Sequence, residues 1–287
     1  MLNDIVIIRG GGDIASGTIQ KLHRSGFKVL VLEVPSPTSI RRSVCYSECI
    51  YEGEFTVENT SSVFAKDIKD IENAWNENKI PVVIDPQGTY IDTIKPSVVV
   101  DAILAKKNLG TKIDMSHITI ALGPGFEAGK DAHIVIETMR GHNLGRLIFE
   151  RQAIANTGVP GEIKGFSKER VIYSPSSGLI KNAKEIGDIV EAGEPIAYVN
   201  GIEVRATMNG LLRGIIRDHS KVSIGLKIAD IDPRISELQN CYTISDKARA
   251  IAGGVLEAIL YLQAEKNYER CIDYGRGNIN TNLRKPS

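Results

Sequence analysis

The pattern of apolar and polar positions at the start of the chain predicts a strand, a turn, a helix and a second strand. The run Ile5–Ile8 is apolar and of strand length, and it ends at three consecutive glycines. Apolar residues then recur at helical spacing over Ile14–His23, and a second apolar run, Lys28–Leu32, closes at Glu33. This order of elements indicates the first βαβ unit of a dinucleotide-binding fold.

The glycine turn has the residue types that a bound phosphate needs. Gly10 permits the tight turn, Gly11 extends it, and Gly12 lets backbone N–H groups approach a ligand where the helix begins at Ile14. Glu33 lies 21 positions after Gly12, where a carboxylate binds a ribose hydroxyl in such folds. These residues are candidate cofactor-binding residues.

Asp13 complicates that interpretation. A carboxylate at the first turn of a helix caps the free N–H groups itself and repels a phosphate. Arg41 and Arg42 follow the second strand and are candidates to clamp a phosphate or carboxylate beside the turn. A structural turn capped by Asp13, with both arginines in solvent, is the alternative.

Helical segments and apolar strands continue to alternate up to about residue 155, which predicts a parallel sheet. Asp85 and Gln87 come directly after the buried strand Pro81–Ile84, so we expect them on the same rim as the glycine turn. Asp101 lies inside the apolar strand Val98–Leu104 and needs a partner or a ligand there.

A second glycine-rich loop follows the strand Ile118–Leu122. Gly123, Gly125 and Gly129 with Lys130 come close to a P-loop, but the spacing differs and no Ser or Thr follows the lysine. The loop therefore does not indicate ATP hydrolysis. Its backbone N–H groups are candidates to hold an anion.

The strand after this loop has titratable residues on one face. Asp131, His133 and Glu137 alternate along it, and Arg140 stands just past its end. His133 is the best candidate for a general acid or base, with Asp131 and Glu137 beside it. His133 and Glu137 are ~13 Å apart on a strand, too far to share a metal, whereas Asp131 and His133 are ~6.6 Å apart. A polar edge strand without a ligand is the alternative.

The chain after residue 155 has a different pattern. Residues 156–165 are rich in turn residues and predict a linker. Residues 166–234 repeat at an offset of 32, as in Gly178–Leu179 and Gly210–Leu211. The repeat resembles the biotinyl and lipoyl type of barrel-sandwich hybrid, without a lysine at the central hairpin. Residues 235–266 predict a C-terminal helix, and 267–287 a disordered tail.

Composition narrows the class of protein. The 35 basic and 35 acidic residues give no net charge, which favours neither nucleic acid nor an anionic membrane as a partner. No apolar run reaches 18 residues, and no signal peptide is evident. The four cysteines lack the spacing of a zinc finger or a disulfide framework. We expect a soluble cytoplasmic protein, as a monomer or a homo-oligomer.

The chain contains the motifs GGGDIASG, VVIDP, DAILAKKN, ALGPGFEAGKDAHIVIETMRGHNLGR, NTGVPG and KIADIDPR. Together these motifs resemble the YqeB family, the accessory proteins of selenium-dependent molybdenum hydroxylases, which are related to xanthine dehydrogenase accessory proteins. The resemblance implies a Rossmann-like domain and a role in maturing a molybdenum hydroxylase that carries labile selenium. It leaves the reaction open, and it leaves the need for a metal unknown.

The fold expected from pattern and resemblance together is a Rossmann-like parallel-sheet domain (1–155), a linker, a barrel-sandwich-like β module and a C-terminal helix. The expected function is an accessory protein that binds NAD(P) or molybdopterin dinucleotide between the two glycine loops. Its partner would be the hydroxylase or that enzyme's cofactor. An NAD(P)-dependent oxidoreductase and a non-enzymatic scaffold that docks the hydroxylase through the β module are the alternatives.

Overall fold

The structure is a computed structural model that describes the backbone of residues 4–158 and 161–279, with side chains up to residue 265. The helices are α1 (Asp13–Arg24), α2 (Cys49–Glu52), α3 (Ile68–Asn76), α4 (Thr89–Ile94) and α5 (Asp246–Ile279). The strands of the N-terminal region are β1 (Ile5–Arg9), β2 (Lys28–Glu33), β3 (Glu54–Val57), β4 (Thr60–Phe64), β5 (Ile80–Ile84), β6 (Val98–Asp101), β7 (Ile118–Leu122), β8 (Glu127–Ala128), β9 (Ile134–Ile136), β10 (Leu147–Ile148) and β11 (Arg151–Gln152).

Nine of these strands form one sheet in the order β10-β9-β7-β6-β1-β2-β5-β4-β3. The seven strands from β9 to β4 are parallel, but β3 and β10 pair antiparallel at the two edges. Glu58 turns the chain back between β3 and β4 with a φ of 53°, and Gly141 and Gly145 turn it back before β10. β8 and β11 form a separate antiparallel pair.

The expected fold class, a Rossmann-like parallel sheet followed by a barrel-sandwich module, is therefore wrong. The protein is an α/β fold with a large mixed sheet. The apolar runs predict the central strands of the sheet but not the short strands β4 and β10, and tight turns at both edges reverse the chain and make the sheet mixed.

Apolar side chains cover both faces of this sheet. On one face α1 and α5 pack against β1, β2, β6, β7 and β9. On the other face α3 and α4 pack through Ile71, Trp75, Ile91 and Ile94. Parallel strands buried on both faces read as continuous apolar runs, which explains why they are recognisable in the sequence.

The C-terminal helix completes the core of the N-terminal region. Ala248, Ile251, Val255 and Ile259 of α5 are fully buried against the sheet. The helix continues past residue 266, where the sequence pattern places its end, to Ile279. Residues 280–287 of the expected tail, and Val159 and Pro160 of the expected linker, lie outside the described residues.

The region between the linker and α5 is a pair of four-stranded antiparallel sheets. Their strands are β12 (Val171–Tyr173), β13 (Gly178–Asn182), β14 (Ile189–Val190), β15 (Pro195–Val199), β16 (Ile202–Arg205), β17 (Gly210–Ile215), β18 (Lys221–Val222) and β19 (Lys227–Asp232). One sheet has the order β12-β19-β17-β14 and the other β16-β15-β13-β18. The short strand of each 32-residue repeat pairs with the other repeat, so the two repeats share one core.

Charged contacts fix this β region against the N-terminal region. The Arg42 guanidinium donates to the Ile215 carbonyl at 3.3 Å and to Glu185 at 2.7 Å, and Arg217 donates to Glu48 at 2.8 Å. Gly214 packs closely against Ile40: a Cβ added at Gly214 would be 2.9 Å from the Ile40 carbonyl oxygen. The two regions consequently meet along a defined contact, beside which a crevice opens.

Candidate functional site

A crevice of about 390 Å³ lies where the carboxyl ends of β6, β7 and β9 meet α5 and the β region. An adjoining hollow of about 180 Å³ reaches Ile14 at the start of α1, and the two share Lys106, Thr138 and Lys247 among their walls. Carboxyl ends of parallel strands lie at one edge of a sheet, and ligands of α/β proteins bind there. The combined space falls within the usual range for small-molecule sites, ~300–1,000 Å³.

The crevice is lined by cations. Lys106 follows β6, Arg140 follows β9, Lys247 is in the first turn of α5, and Lys227 begins β19. The lysines that make ion pairs in the described part of the chain are Lys79, Lys130 and Lys184, so none of the three crevice lysines has a described carboxylate within ion-pair distance. No histidine or carboxylate is present among the described residues of the crevice wall. Such a surface favours an anion.

The start of α5 sets the charge at one end of the crevice. The Ser245 hydroxyl accepts from the Ala248 N–H at 3.2 Å, and Arg140 donates to both carboxylate oxygens of Asp246 at 2.8 Å. The bonds from Arg140 hold the pKa of Asp246 well below its usual range. Burial and then the nearby Arg140 lower the pKa of Lys247. A bound anion would favour the charged form of Lys247 and so raise its pKa again.

A buried network fixes the loop that carries Lys106. Arg9 donates to Asp101 at 3.3 Å, to Thr111 and to the Leu109 carbonyl at 3.4 Å, and the Thr111 hydroxyl donates to Asp101 at 2.5 Å. Asp101 has the partner that its position in a strand requires. It acts on the crevice only by holding the 102–111 loop in place.

The protein's own groups occupy the first glycine turn. The Gly11 N–H donates to one oxygen of Glu33 at 2.7 Å, and the Val34 N–H donates to the other at 2.8 Å. Burial raises the pKa of Glu33 even though both bonds favour its charged form. Gly10 packs against the Ala102 carbonyl, and the Gly11 carbonyl accepts from the Ser47 N–H at 3.1 Å. Glu33 therefore uses both carboxylate oxygens to order the turn.

Asp13 and Arg41 form an ion pair beside this turn. The Arg41 guanidinium donates to Asp13 at 2.9 Å and to the carbonyls of Asn240 and Thr243 at 2.9 and 3.2 Å. The pair joins the start of α1 to the segment that leads into α5. The N-cap residue of α1 is Gly12, which provides no side-chain cap. Arg41 acts here as a link between elements, and Arg42 acts likewise between regions.

The other predicted ligand residues are spread along the sheet. Asp85 is buried and accepts from the Gly88 and Tyr90 N–H groups at 3.0 and 2.8 Å, while Gln87 is exposed. Gly123 and Gly125 lie at the carboxyl end of β7. Gly129 lies in the turn before β9, toward the amino ends of these parallel strands. The predicted residues that line the crevice itself are Ile14 and Arg140.

The structure does not bring the three predicted catalytic residues together at the crevice. His133 precedes β9, and its Nδ1 accepts from the Thr119 N–H at 3.0 Å. Asp131 accepts from the Glu127 N–H at 2.8 Å in the turn before it. His133 stands a strand length, ~16 Å, from Thr138 in the crevice, and Asp131 lies in the turn that precedes His133. Glu137 is at the right end but is buried, and it accepts from the Met139 and Ile154 N–H groups at 2.7 and 2.9 Å.

No group of three or more His, Cys, Asp or Glu side chains could hold a metal in the described part of the chain. Cys45 and Cys49 are buried and unbridged, and burial raises the pKa of both thiols, to about 12 for Cys49. Thiols in that state are poor nucleophiles. Within the described residues no helix has the length and apolar content needed to cross a bilayer.

Sequence reasoning missed the lysines of the crevice. Lys106 stands in a loop directly after β6, and that position was a usable signal, because such loops border the ligand edge of a parallel sheet. Lys247 and Lys227 reach the crevice only through the packing of α5 and β19, and their local sequence gives no sign of it. Asn156 and Thr138 also line it.

Comparisons with known proteins give one sequence relative. The chain is 48% identical over 260 residues to "Uncharacterized protein YqeB" of Escherichia coli (strain K12), which covers 91% of this chain and 48% of that protein. The predicted resemblance to YqeB is thereby confirmed. The chain spans about half the length of the curated relative that it matches. No family model matches it.

Solved structures give only weak similarity. An aspartoacylase family protein from Mesorhizobium loti is 14% identical, over 74% of this chain and 59% of that one, with a TM-score of 0.23. A succinylglutamate desuccinylase/aspartoacylase from Rhodobacter sphaeroides is 12% identical, over 80% and 86% of the two chains, with a TM-score of 0.26. TM-scores of this size carry no inference about this chain.

Proposed function

We propose that the chain binds a phosphate-bearing, nucleotide-containing ligand in the cationic crevice and that it acts as an accessory protein in the maturation of a selenium-dependent molybdenum hydroxylase. The crevice supports the first part, because three lysines without carboxylate partners and Arg140 converge on it. The resemblance of the sequence motifs supports the second part. NAD(P) and molybdopterin dinucleotide are the two candidate ligands.

Binding without a reaction fits the crevice better than catalysis. Hydride transfer to NAD(P) needs a group that moves a proton near the nicotinamide. The described crevice wall has no histidine or carboxylate for this purpose, and His133 lies at the other edge of the sheet. An oxidoreductase would depend on Lys247 or Tyr173 instead. We therefore rank the accessory role above the oxidoreductase.

Calorimetric titration tests the ligand class. The full chain is titrated with inorganic pyrophosphate, NADP and cytidine triphosphate, and the same is done with Lys247→Gln and Lys106→Gln. Each lysine contact to a phosphate is worth ~1.5–3 kcal/mol, so each variant is expected to lose ~10–100-fold in affinity. Lys69→Gln is the matched control, because Lys69 is exposed on α3, away from the crevice.

Unchanged affinity in both crevice variants would contradict the proposed site. Failure of all three probes to bind would favour the scaffold alternative. The accessory role is tested in cells that produce a selenium-dependent molybdenum hydroxylase. Removal of the chain is expected to abolish hydroxylase activity, and the doubly substituted Lys106→Gln, Lys247→Gln chain is expected not to restore it. Full activity without the chain would refute the role.

A further inference from the structure

The crevice has two chemically different walls. The N-terminal region and α5 contribute Lys106, Arg140 and Lys247, whereas the β region contributes Val171 and Tyr173 from β12 and Lys227 from β19. Val171, which is buried, and Tyr173, which is half exposed, both line the crevice. The β region thus adds an aromatic and an aliphatic side chain, together with one lysine, to a crevice whose other wall is basic.

Tyr173 lies on β12, an edge strand of its sheet, and is exposed there. It is 52% accessible, although Ile172 before it is buried in the core of the β region. A bulge between Ile172 and Tyr173 shifts the pairing with β19, so Tyr173 stands opposite Lys227 instead of the buried Ile228. Bulges change the direction in which a side chain points. Because successive side chains of a strand point to opposite faces, Tyr173 lies away from the core that Ile172 enters, and the bulge places Lys227 opposite it.

Among the described residues, the tyrosine ring has no partner that explains its position. Its hydroxyl makes no hydrogen bond to the described residues, and its ring makes no aromatic contact among them. Lys227 is directly opposite Tyr173 on the neighbouring strand, so the Cβ atoms of the two residues are ~5 Å apart and a cation lies near the ring. Aromatic side chains at such sites provide a face on which a planar ring stacks.

We infer that Tyr173 and Val171 form a subsite for the planar ring of the ligand, while Lys106, Lys227 and Lys247 hold its phosphates. The inference rests on the proposed function and adds the side chains that hold the ring of the ligand. The ligand is a phosphate ester or anhydride that carries a heteroaromatic ring, and it contacts both regions of the chain. A ring-free polyphosphate or a sugar phosphate would leave the Tyr173 face empty.

Three probes with the same number of phosphates, two with a ring and one without, separate the contribution of the ring from that of the charge. Adenosine triphosphate and cytidine triphosphate are compared with inorganic tripolyphosphate, on the full chain, by calorimetry. Stacking on one aromatic side chain is expected to make the nucleotides bind ~5–150-fold more tightly than tripolyphosphate. Tyr173→Phe should keep that ratio, and Tyr173→Leu should reduce it to about one without changing the affinity for tripolyphosphate.

Tyr198→Leu is the matched control, because Tyr198 is a tyrosine of the β region on the other sheet, outside the crevice. Equal affinity of the wild-type chain for nucleotides and tripolyphosphate would overturn the ring subsite and leave the proposed anion site standing. A preserved ratio in Tyr173→Leu would also overturn the subsite. Failure of every probe to bind would overturn the proposed function, and the ring subsite with it.

Discussion

Replacement of Gly254 by alanine is expected to destabilise the protein, whereas the same replacement at its neighbour Gly253 is expected to stabilise it. Both glycines lie inside α5. A Cβ at Gly253 would meet no atom within 4 Å. A Cβ at Gly254 would overlap the carbonyl oxygen of Gly145, in the loop between β9 and β10, and would stand 3.2 Å from Ile136.

The magnitudes follow from these two environments. Alanine in a helix interior is ~1 kcal/mol more favourable than glycine, so Gly253→Ala should raise the free energy of unfolding by about that amount. Overpacking costs ~1–3 kcal/mol, and the upper end applies to Gly254→Ala because the opposing atom belongs to backbone. The Gly145 N–H is itself fixed by a 2.9 Å bond to the Glu137 carbonyl. The helix gain of ~1 kcal/mol offsets part of the ~3 kcal/mol overpacking cost, so Gly254→Ala is expected to lower the free energy of unfolding by ~2 kcal/mol.

Urea and thermal unfolding followed by circular dichroism measure both variants against the wild type. At ~2–4 °C per kcal/mol, Gly253→Ala should melt a few degrees higher and Gly254→Ala ~4–8 °C lower. Shifts of the same sign in the two variants would refute the packing of α5 against the 141–146 loop. Because α5 carries Lys247, Gly254→Ala is also expected to weaken pyrophosphate binding.

Three further predictions concern charged groups. Arg41→Met is expected to lower the free energy of unfolding by ~3 kcal/mol in urea titrations, because it leaves the Asp13 carboxylate without its ion pair; a Tm equal to that of the wild type would contradict this role. His133→Ala is expected to cost ~1 kcal/mol of stability through the bond to the Thr119 N–H while pyrophosphate affinity stays unchanged; a selective loss of affinity by calorimetry would return His133 to the site. The pKa of Lys247 is lowered in the folded protein, so this lysine loses its proton below the ordinary lysine pKa of ~10.4. Because only protonated Lys247 attracts the anion, pyrophosphate affinity is expected to fall as the pH rises toward 10. Lys247→Arg should remove this decline. A pH profile of the variant identical to that of the wild type would exclude Lys247 from the site.

The sequence by itself determined the buried elements. Ile5–Ile8, Lys28–Leu32 and Pro81–Ile84 are recognisable as strands because parallel strands covered on both faces must be apolar throughout. The glycine turn and the 32-residue repeat are also readable, since tight turns and equivalent strands place the same residue types at fixed spacing. The position of the candidate site at the carboxyl edge of the sheet follows from the same strand order.

The tertiary structure alone decided the direction of the edge strands and the partners of the polar residues. Glu33, Arg41 and His133 are residue types that often bind ligands. In this fold each of them hydrogen-bonds to another segment of the chain instead. A carboxylate or a cation finds a partner according to three-dimensional proximity, which a residue pattern does not encode. Lys106, Lys227 and Lys247 come from three separate segments and meet only because α5 and β19 pack at the end of the sheet. The charge of the crevice is therefore a property of the assembled fold.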